Sequence, residues 1–242
     1  MQPIPRLKRY KKDLAHSYTF GVFPTLELLA HRPQDAIEVV AHPQGLENTG
    51  IARIQDICRE KRIPFEIREK TFPRLRAREN EFAVGVFRKS EPGLNNSTDH
   101  VILINPGGTG NLGTIIRTML GFGFHDLAII EPATDIFHPE TVRASMGALF
   151  QLRFARFKDF AIYQERYPRE FYPLMTNGLT TLPAARFNSP FGLIFGNESR
   201  GLGPEFHNLG TTVRIPQSTA IDSLNLAVSV GVTLYQASIQ QS

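Results

Sequence analysis

Two kinds of apolar pattern alternate along the chain. Short, nearly uninterrupted apolar runs are typical of buried strands, whereas apolar residues spaced three or four positions apart are typical of helices. Before residue 90, AIEVVAH, IPFEIRE and EFAVGVF predict strands, TFGVFPTLELLAH predicts the start of a helix, and GIARIQDICREKR predicts a full helix. This alternation predicts a small α/β domain.

The same alternation returns after residue 98. DHVILIN and HDLAIIEP predict strands on either side of a helix, NLGTIIRTMLGFG, that ends at glycine. FGLIFGNESRG is a further strand that runs into a glycine turn, VRIP is a short strand, and SLNLAVSVGVTLYQASI is a C-terminal helix. Residues 135–185 are aromatic and basic with scattered prolines, and they predict only helices and connectors. The second part is therefore an α/β fold built on a parallel sheet.

A polar stretch separates these two parts. SEPGLNNST, residues 90–98, collects the Ser, Pro, Gly and Asn residues that linkers favour. We therefore predict an N-terminal domain over residues 1–92 and a C-terminal domain over residues 99–242.

Length and composition exclude several classes of protein. A chain of 242 residues that is 41% hydrophobic can bury one large core or two modest ones. It has no apolar run long enough to span a membrane, and its charged N-terminus is not followed by an apolar segment, so a cytoplasmic protein is expected. The single Cys58 cannot form an internal disulfide, and no Cys/His cluster has zinc-ligand spacing, so we expect no metal.

Positive charge is concentrated in the first part of the chain. The first 90 residues hold 17 of the 27 Lys and Arg residues but 11 of the 23 Asp and Glu residues. Clustered Lys and Arg favour a polyanion such as RNA, although a merely solubilising surface has the same composition. The candidate RNA-binding residues are Arg6, Lys8, Arg9, Lys11, Lys12, Arg74, Arg76 and Arg78.

A dinucleotide motif is present at the start of the second part. Gly108, Gly110 and Gly113 satisfy GxGxxG after a strand, and Glu131 follows about 20 positions later, as an NAD site requires. A nucleotide-binding P-loop is excluded, because Thr114 stands where that motif has lysine. GxGxxG alone is a weak signal.

Polar clusters follow three predicted strands, and in a parallel sheet such ends form the crevice that binds ligands. The clusters are NPGGTGNLGTIIR, FGNESRGLG and IPQSTAIDSLN. Each also has an ordinary structural explanation, since Asn111 can cap a helix, Glu198 can pair with Arg200 on the surface, and Ser223 or Asn225 can cap the last helix.

Together these clusters resemble the three motifs of the SpoU (TrmH-like) family of SPOUT RNA methyltransferases. The first has Asn111, then Arg117 six positions later, and a closing Gly121 or Gly123. The second and third resemble the remaining motifs through the residues Gly196, Asn197, Glu198, Gly201, Leu202, Ile215, Pro216, Ser223, Leu224 and Asn225. Asn105 departs from the family, in which many members have Asp there, and PGGTG makes the first turn richer in glycine than usual.

The resemblance implies transfer of a methyl group from S-adenosylmethionine to a ribose 2′-hydroxyl of tRNA or rRNA. It implies catalytic roles for Asn111, Arg117, Glu198, Ser223 and Asn225, with Arg117 as electrostatic stabiliser or proton acceptor and Glu198 orienting Arg117 or another donor. It also implies that the cofactor is bound by Gly196, Asn197, Gly201, Leu202, Ile215, Pro216 and Leu224, where glycine lets a ligand approach the main chain.

Further implications concern the architecture. The family resemblance implies a deep trefoil knot in the C-terminal SPOUT domain, a homodimer with active sites at its interface, and a ribosomal-protein-like RNA-binding fold at residues 17–90. A non-catalytic RNA-binding protein and an NAD-dependent oxidoreductase remain as alternative functions. An oxidoreductase explains only GxGxxG, whereas the methyltransferase assignment uses all three clusters.

Overall fold

The computed structural model describes residues 7–241, which form two compact units. Within the described residues, the first unit comprises 7–90 together with 135–151, and the second comprises 91–134 and 152–241. The sequence analysis placed 135–151 in the C-terminal domain. The segment joins the first unit through contacts between residues distant in sequence, such as the 2.7 Å bond from Arg143 Nε to Glu81 Oε1, which no local pattern reveals.

The first unit is built on a four-stranded sheet with the order β1-β4-β2-β3, in which only β2 and β3 are parallel. The predicted strands are present, but β1 was missed because a single residue, Gly21 at φ 91°, separates it from the next helix. Its elements are β1 (His16–Phe20), α1 (Val22–His31), β2 (Ala36–Ala41), α2 (Thr49–Lys61), β3 (Phe65–Ile67), α3 (Thr71–Leu75), β4 (Ala83–Arg88) and α5 (Pro139–Ala144).

Two apolar clusters cover opposite faces of this sheet. Along β2, Val39 and Ala41 belong to the cluster under α2, whereas Val40 belongs to the cluster under α3, because successive strand residues point to opposite faces. Cys58 of α2 is buried in the first of these clusters.

The second unit is a seven-stranded, all-parallel sheet with the order β7-β6-β5-β10-β8-β11-β9. Its central strands read as apolar runs because helices or loops cover both faces. Its elements are β5 (His100–Ile104), α4 (Thr109–Gly121), β6 (Asp126–Ile130), β7 (Arg153–Phe157), α6 (Phe160–Arg166), β8 (Glu170–Leu174), β9 (Thr180–Thr181), β10 (Phe191–Phe195), β11 (Val213–Arg214) and α7 (Leu226–Gln241).

The expectation of only helices and connectors over 135–185 is wrong. β7, β8 and β9 all lie there. β7 and β9 are edge strands that leave part of their side chains exposed, so their apolar runs are broken by basic and polar residues.

The strand order positions the functional edge of this unit. From β5 the chain continues through β6 and β7 on one side, and then returns to build β8 and β10 on the other, so the order reverses between β5 and β10. Open parallel sheets bind ligands outside the carboxyl ends of the strands at such a reversal. The trefoil knot stays a prediction. Among the described helices, none is long and apolar enough to cross a membrane.

Candidate active site

The loop after β10 is a compact hairpin-like turn that its glycines make possible. A Cβ on Gly196 would lie 2.2 Å from the carbonyl carbon of Gly201, and Gly201 itself adopts φ 66°. Glycine is therefore required at 196 for the close approach of two backbone segments.

The side chain of Asn197 fixes this loop to the end of β5. Its Nδ2 donates to the carbonyl of Asn105 at 2.7 Å, while its Oδ1 accepts from the backbone N–H groups of Ser199 and Arg200. The loop is thus held in one conformation across the point where the strand order reverses.

Glu198 lies at the N-terminus of α4. Its carboxylate accepts hydrogen bonds from the backbone N–H groups of Gly107 and Gly108, at 2.9 and 3.2 Å, and from Nδ2 of Asn111 at 3.1 Å. Helix N-termini favour negative charge, so the partial positive charge of α4 stabilises this carboxylate. The second polar cluster is thereby joined to the first.

The hydrogen bonds to Glu198 outweigh the effect of burial on its pKa. Burial by itself raises the pKa of the carboxyl, but hydrogen bonds from its own backbone N–H, from Asn111 and from the two glycine amides lower it below its ordinary value. Glu198 is therefore ionised at neutral pH.

Asn225 brings the third polar cluster to the same place. Its Nδ2 donates to Oδ1 of Asn111 at 3.2 Å, and its own Oδ1 accepts from the backbone N–H of Ala227 at the start of α7. Asn111 therefore bridges Glu198 and Asn225, and it is not the N-cap of α4, which is Gly108. We call Glu198, Asn111 and Asn225 the Glu198 network.

A cavity of about 450 Å³ adjoins this network at the ends of β8, β10 and β11. Ser223 lines the cavity from the third cluster and makes no helix-capping hydrogen bond among the described residues. Of the predicted cofactor-binding residues, Pro216 does not line the cavity, and those that do are Gly196, Asn197, Gly201, Leu202, Ile215 and Leu224.

Arg117 is not part of this arrangement within its own chain. It lies six residues after Asn111 on α4, about 1.7 helical turns away, so the two side chains leave the helix in different directions. Its side chain is exposed, and within the described part of the chain it has no hydrogen bond or ion pair, so Glu198 does not orient it there.

The predicted basic residues occupy one region of the first unit. The segments that carry them are anchored by Leu7 and Leu75 in the same apolar cluster, although 68 positions separate these two residues. The exposed members are Lys8, Arg9, Lys11, Lys12, Arg74, Arg76 and Arg78, whereas Arg6 lies outside the described residues.

Sequence reasoning missed part of the cavity wall. Met175, Thr176 and Asn177, which follow β8, line the cavity together with His207 and Gln217. The run EFYPLMTNG carries the available signal, because a strand that ends in Thr-Asn-Gly repeats the pattern of the other strand ends.

The same geometry argues against a dinucleotide at GxGxxG. A pyrophosphate would bind to the backbone N–H groups at the N-terminus of this helix. Those of Gly107 and Gly108 already donate to the Glu198 carboxylate, which would repel a second anion. Among the described residues there is also no group of His, Cys, Asp and Glu that could hold a metal ion.

Comparison with known proteins identifies the family of residues 99–235. The SpoU rRNA Methylase family matches residues 99–235, which is more than half of the chain. An uncharacterized tRNA/rRNA methyltransferase of Synechocystis sp. is 33% identical over 136 residues, 54% of this chain and 50% of that protein. The 23S rRNA (uridine(2479)-2'-O)-methyltransferase of Streptomyces viridochromogenes is 31% identical over 146 residues, 57% of this chain and 51% of that protein. The chain thus matches about half the length of these two relatives.

Solved structures agree over most of the chain. One of them is the crystal structure of an AdoMet-bound rRNA methyltransferase from Sinorhizobium meliloti. The aligned part covers 92% of this chain and 86% of that chain, with 27% sequence identity and a TM-score of 0.76.

Proposed function

Since the chain belongs to the SpoU rRNA methylase family, we propose that it transfers a methyl group from S-adenosylmethionine to a ribose 2′-hydroxyl of tRNA or rRNA. The observation that carries this proposal is the Glu198 network, which joins three polar clusters from distant parts of the chain beside one cavity. The name of the Streptomyces relative, a 2'-O-methyltransferase of rRNA, supports the same reaction.

The cavity fits S-adenosylmethionine in size and chemistry. Its volume of about 450 Å³ lies within the usual range for small-molecule sites. Its wall combines apolar side chains, including Leu202, Ile215 and Leu224, with the polar side chains of Asn177, Gln217 and Ser223. When bound there, the cofactor supplies an activated methyl group.

We assign the residues of the network a positioning role. The acceptor hydroxyl must be held in line with the methyl group, and small displacements are costly in rate. Glu198 and Asn225 each hold Asn111, so the loops that border the cavity keep their relative positions before substrate binds. Ser223 then presents a hydroxyl at the cavity wall.

Arg117 has the chemistry to stabilise the alkoxide that forms as the hydroxyl loses its proton. A guanidinium remains protonated in proteins, so we assign it to electrostatic stabilisation and to binding of the adjoining phosphate, and not to proton acceptance. Because it contacts nothing in the network of its own chain, we assign it to the site of a second subunit.

A homodimer is supported by the exposed surface of α7, which packs against α4, the helix that carries Arg117. Helices α4 and α7 pack side by side, with the rings of Phe122 and Tyr235 6.1 Å apart. The outer side of α7 exposes a row of apolar side chains at helical spacing, which are Val228, Val232, Tyr235 and Ile239. We call these four residues the α7 stripe. Exposed apolar rows of this kind mark protein interfaces. A second subunit bound to the α7 stripe would have Arg117 of this chain at its own active site.

We assign RNA binding to the basic region of the first unit. Their common apolar cluster brings Lys8, Arg9, Lys11 and Lys12 close to the segment that carries Arg74, Arg76 and Arg78. Grouped cations are the electrostatic footprint of nucleic acid. A tRNA or rRNA substrate also supports the cytoplasmic location predicted from the sequence.

The test measures cofactor binding and methyl transfer with the full chain. S-Adenosylhomocysteine should raise the melting temperature and NAD should not, because a ligand stabilises only the folded state that binds it. Methyl groups from labelled S-adenosylmethionine should enter bulk tRNA or rRNA from cells that lack this gene. Binding without transfer to either RNA, or stabilisation by NAD alone, would contradict the proposal.

A further inference from the structure

A second cleft lies on the other side of the loop after β10. It has a volume of about 810 Å³ and is bounded by the loops after β5, β6 and β10, where the strand order reverses. We call it the second cleft, and it includes Pro132, Ala133 and Phe206, which belong to none of the three polar clusters. The two cavities share the wall formed by Asn197, Arg200 and Gly201.

The lining of the second cleft suits a nucleobase. Pro132 contributes an exposed, flat apolar surface, whereas Pro106 and Phe206 are buried in the wall. Polar groups at its rim include Asn105 and Ser199, which can pair with the edge of a base. Sequence-specific RNA sites combine stacking surfaces with such edge contacts on unpaired nucleotides.

Arg200 marks the boundary between the two cavities. Its side chain is exposed and lines both of them, and within residues 7–241 its guanidinium has no hydrogen bond or ion pair. Only its backbone N–H is engaged, by Asn197, so the position of its Cα is fixed while the side chain stays available. A guanidinium at such a place can bind a phosphate through two parallel hydrogen bonds.

The geometry points to the second cleft as the site that receives the base of the acceptor nucleotide, with Arg200 binding its phosphate. This inference rests on the proposed function. A 2′-hydroxyl that attacks a methyl group must lie next to the cofactor cavity, and a base in the second cleft places its ribose at the shared wall. The binding mode requires an unpaired or flipped-out nucleotide, because a stacked base cannot enter the cleft.

The variant that tests the inference fills the cleft. Ala133 is half-buried and lines only the second cleft, so Ala133→Trp should block the base without touching the cofactor cavity. We expect kcat/KM for bulk RNA to fall by about a hundredfold, the cost of a misplaced acceptor, while the affinity for S-adenosylhomocysteine changes less than twofold. Ala161→Trp, at an exposed alanine of α6, is the matched control and should leave both unchanged.

Arg200 provides a second variant that does not depend on a bulky side chain. Arg200→Ala should raise KM for RNA about tenfold, as for the loss of one charge-assisted hydrogen bond, and Arg200→Lys should restore part of it. The thermal shift induced by S-adenosylhomocysteine shows that each variant is folded. A wild-type protein without methyl transfer overturns the proposed function. If the wild-type protein is active and both Ala133→Trp and Arg200→Ala are unimpaired, only the role assigned to the second cleft is overturned.

Discussion

At the residue scale, Glu198 is the group on which the site depends most. It accepts from Gly107, Gly108 and Asn111, so three donors lose their partner if the carboxylate is removed. Its amino-acid type was readable from the second cluster, and the predicted partner was Arg117, Arg200 or another donor. The structure shows Asn111 and the N-terminus of α4 as its partners.

The first prediction concerns this carboxylate. Glu198→Gln keeps the volume but turns an NH2 group toward donors, so one of the three hydrogen bonds is lost. We expect kcat to fall by about ten- to a hundredfold, as for a lost positioning contact, measured by single-turnover methyl transfer. Glu165→Gln on the exposed side of α6 is the control. A lower melting temperature with an unchanged rate would show that Glu198 is only structural.

A second prediction concerns Arg117 and uses mixed subunits. Arg117→Ala should abolish methyl transfer and leave S-adenosylhomocysteine binding nearly intact, because the group is assigned to the RNA phosphate and the forming alkoxide, and not to the cofactor. When Arg117→Ala and Glu198→Ala chains are mixed and allowed to exchange, activity should return, since one site of each mixed dimer then has both groups. Mixtures that stay inactive would show that both groups serve the same subunit, and calorimetry that shows lost cofactor binding would place Arg117 in the cofactor cavity.

At the element scale, strand β5 carries a buried polar group whose charge state affects stability. His100 is fully buried, with Nδ1 2.8 Å from the Tyr163 hydroxyl and Nε2 2.8 Å from the Asn95 carbonyl. Burial lowers the pKa of the His100 imidazole to about 4, although the hydrogen bond to the Asn95 carbonyl acts in the opposite direction. His100 is therefore neutral in the folded protein over most of the pH range.

The third prediction follows from this depressed pKa. Between its unfolded pKa of about 6.5 and its folded pKa of about 4, the unfolded state binds a proton that the folded state does not, so stability falls as the pH is lowered. Urea unfolding should show a loss of up to a few kcal/mol by pH 4, in line with that linkage. His100→Gln should remove this part of the slope; an unchanged slope would mean that other groups cause it.

At the scale of the whole molecule, the α7 stripe supports assembly into a dimer. Val232 and Tyr235 of the stripe keep 41% and 56% of their surface exposed in the single chain, and a second subunit would cover this apolar surface.

The fourth prediction tests that assembly. Light scattering should give the wild-type protein twice the chain mass of 27.2 kDa. Val232→Glu should give a monomer with strongly reduced methyl transfer, because a charge in an apolar interface is costly. Ile162→Glu, at another exposed apolar residue, is the control. A wild-type monomer that is active at low concentration would contradict the dimer.

The fifth prediction concerns the basic region. Alanine at Lys8, Arg9 and Lys11 should weaken RNA binding and reduce its dependence on salt, by about 0.7 to 0.9 in the logarithmic slope for each lost phosphate contact. Alanine at Arg53, Arg59 and Lys61 removes equal charge from α2, on the other face of the sheet, and should have little effect. Equal effects of both triple variants would show that RNA binding depends on the total charge of the protein and not on the basic region.

The sequence by itself determines the alternation of most elements, with β1 and the strands within residues 135–185 as exceptions, together with the parallel sheet and the residue types of the three polar clusters. These follow from local rules: apolar period, glycine turns and polar groups at strand ends. It does not determine that residues 135–151 join the first unit, that Glu198 binds the N-terminus of α4, or that Arg117 is exposed without a hydrogen bond to the Glu198 network. Those features depend on which distant segments meet in the folded chain. Sequence periodicity indicates whether a residue is buried or exposed, but it does not indicate which distant residue it contacts.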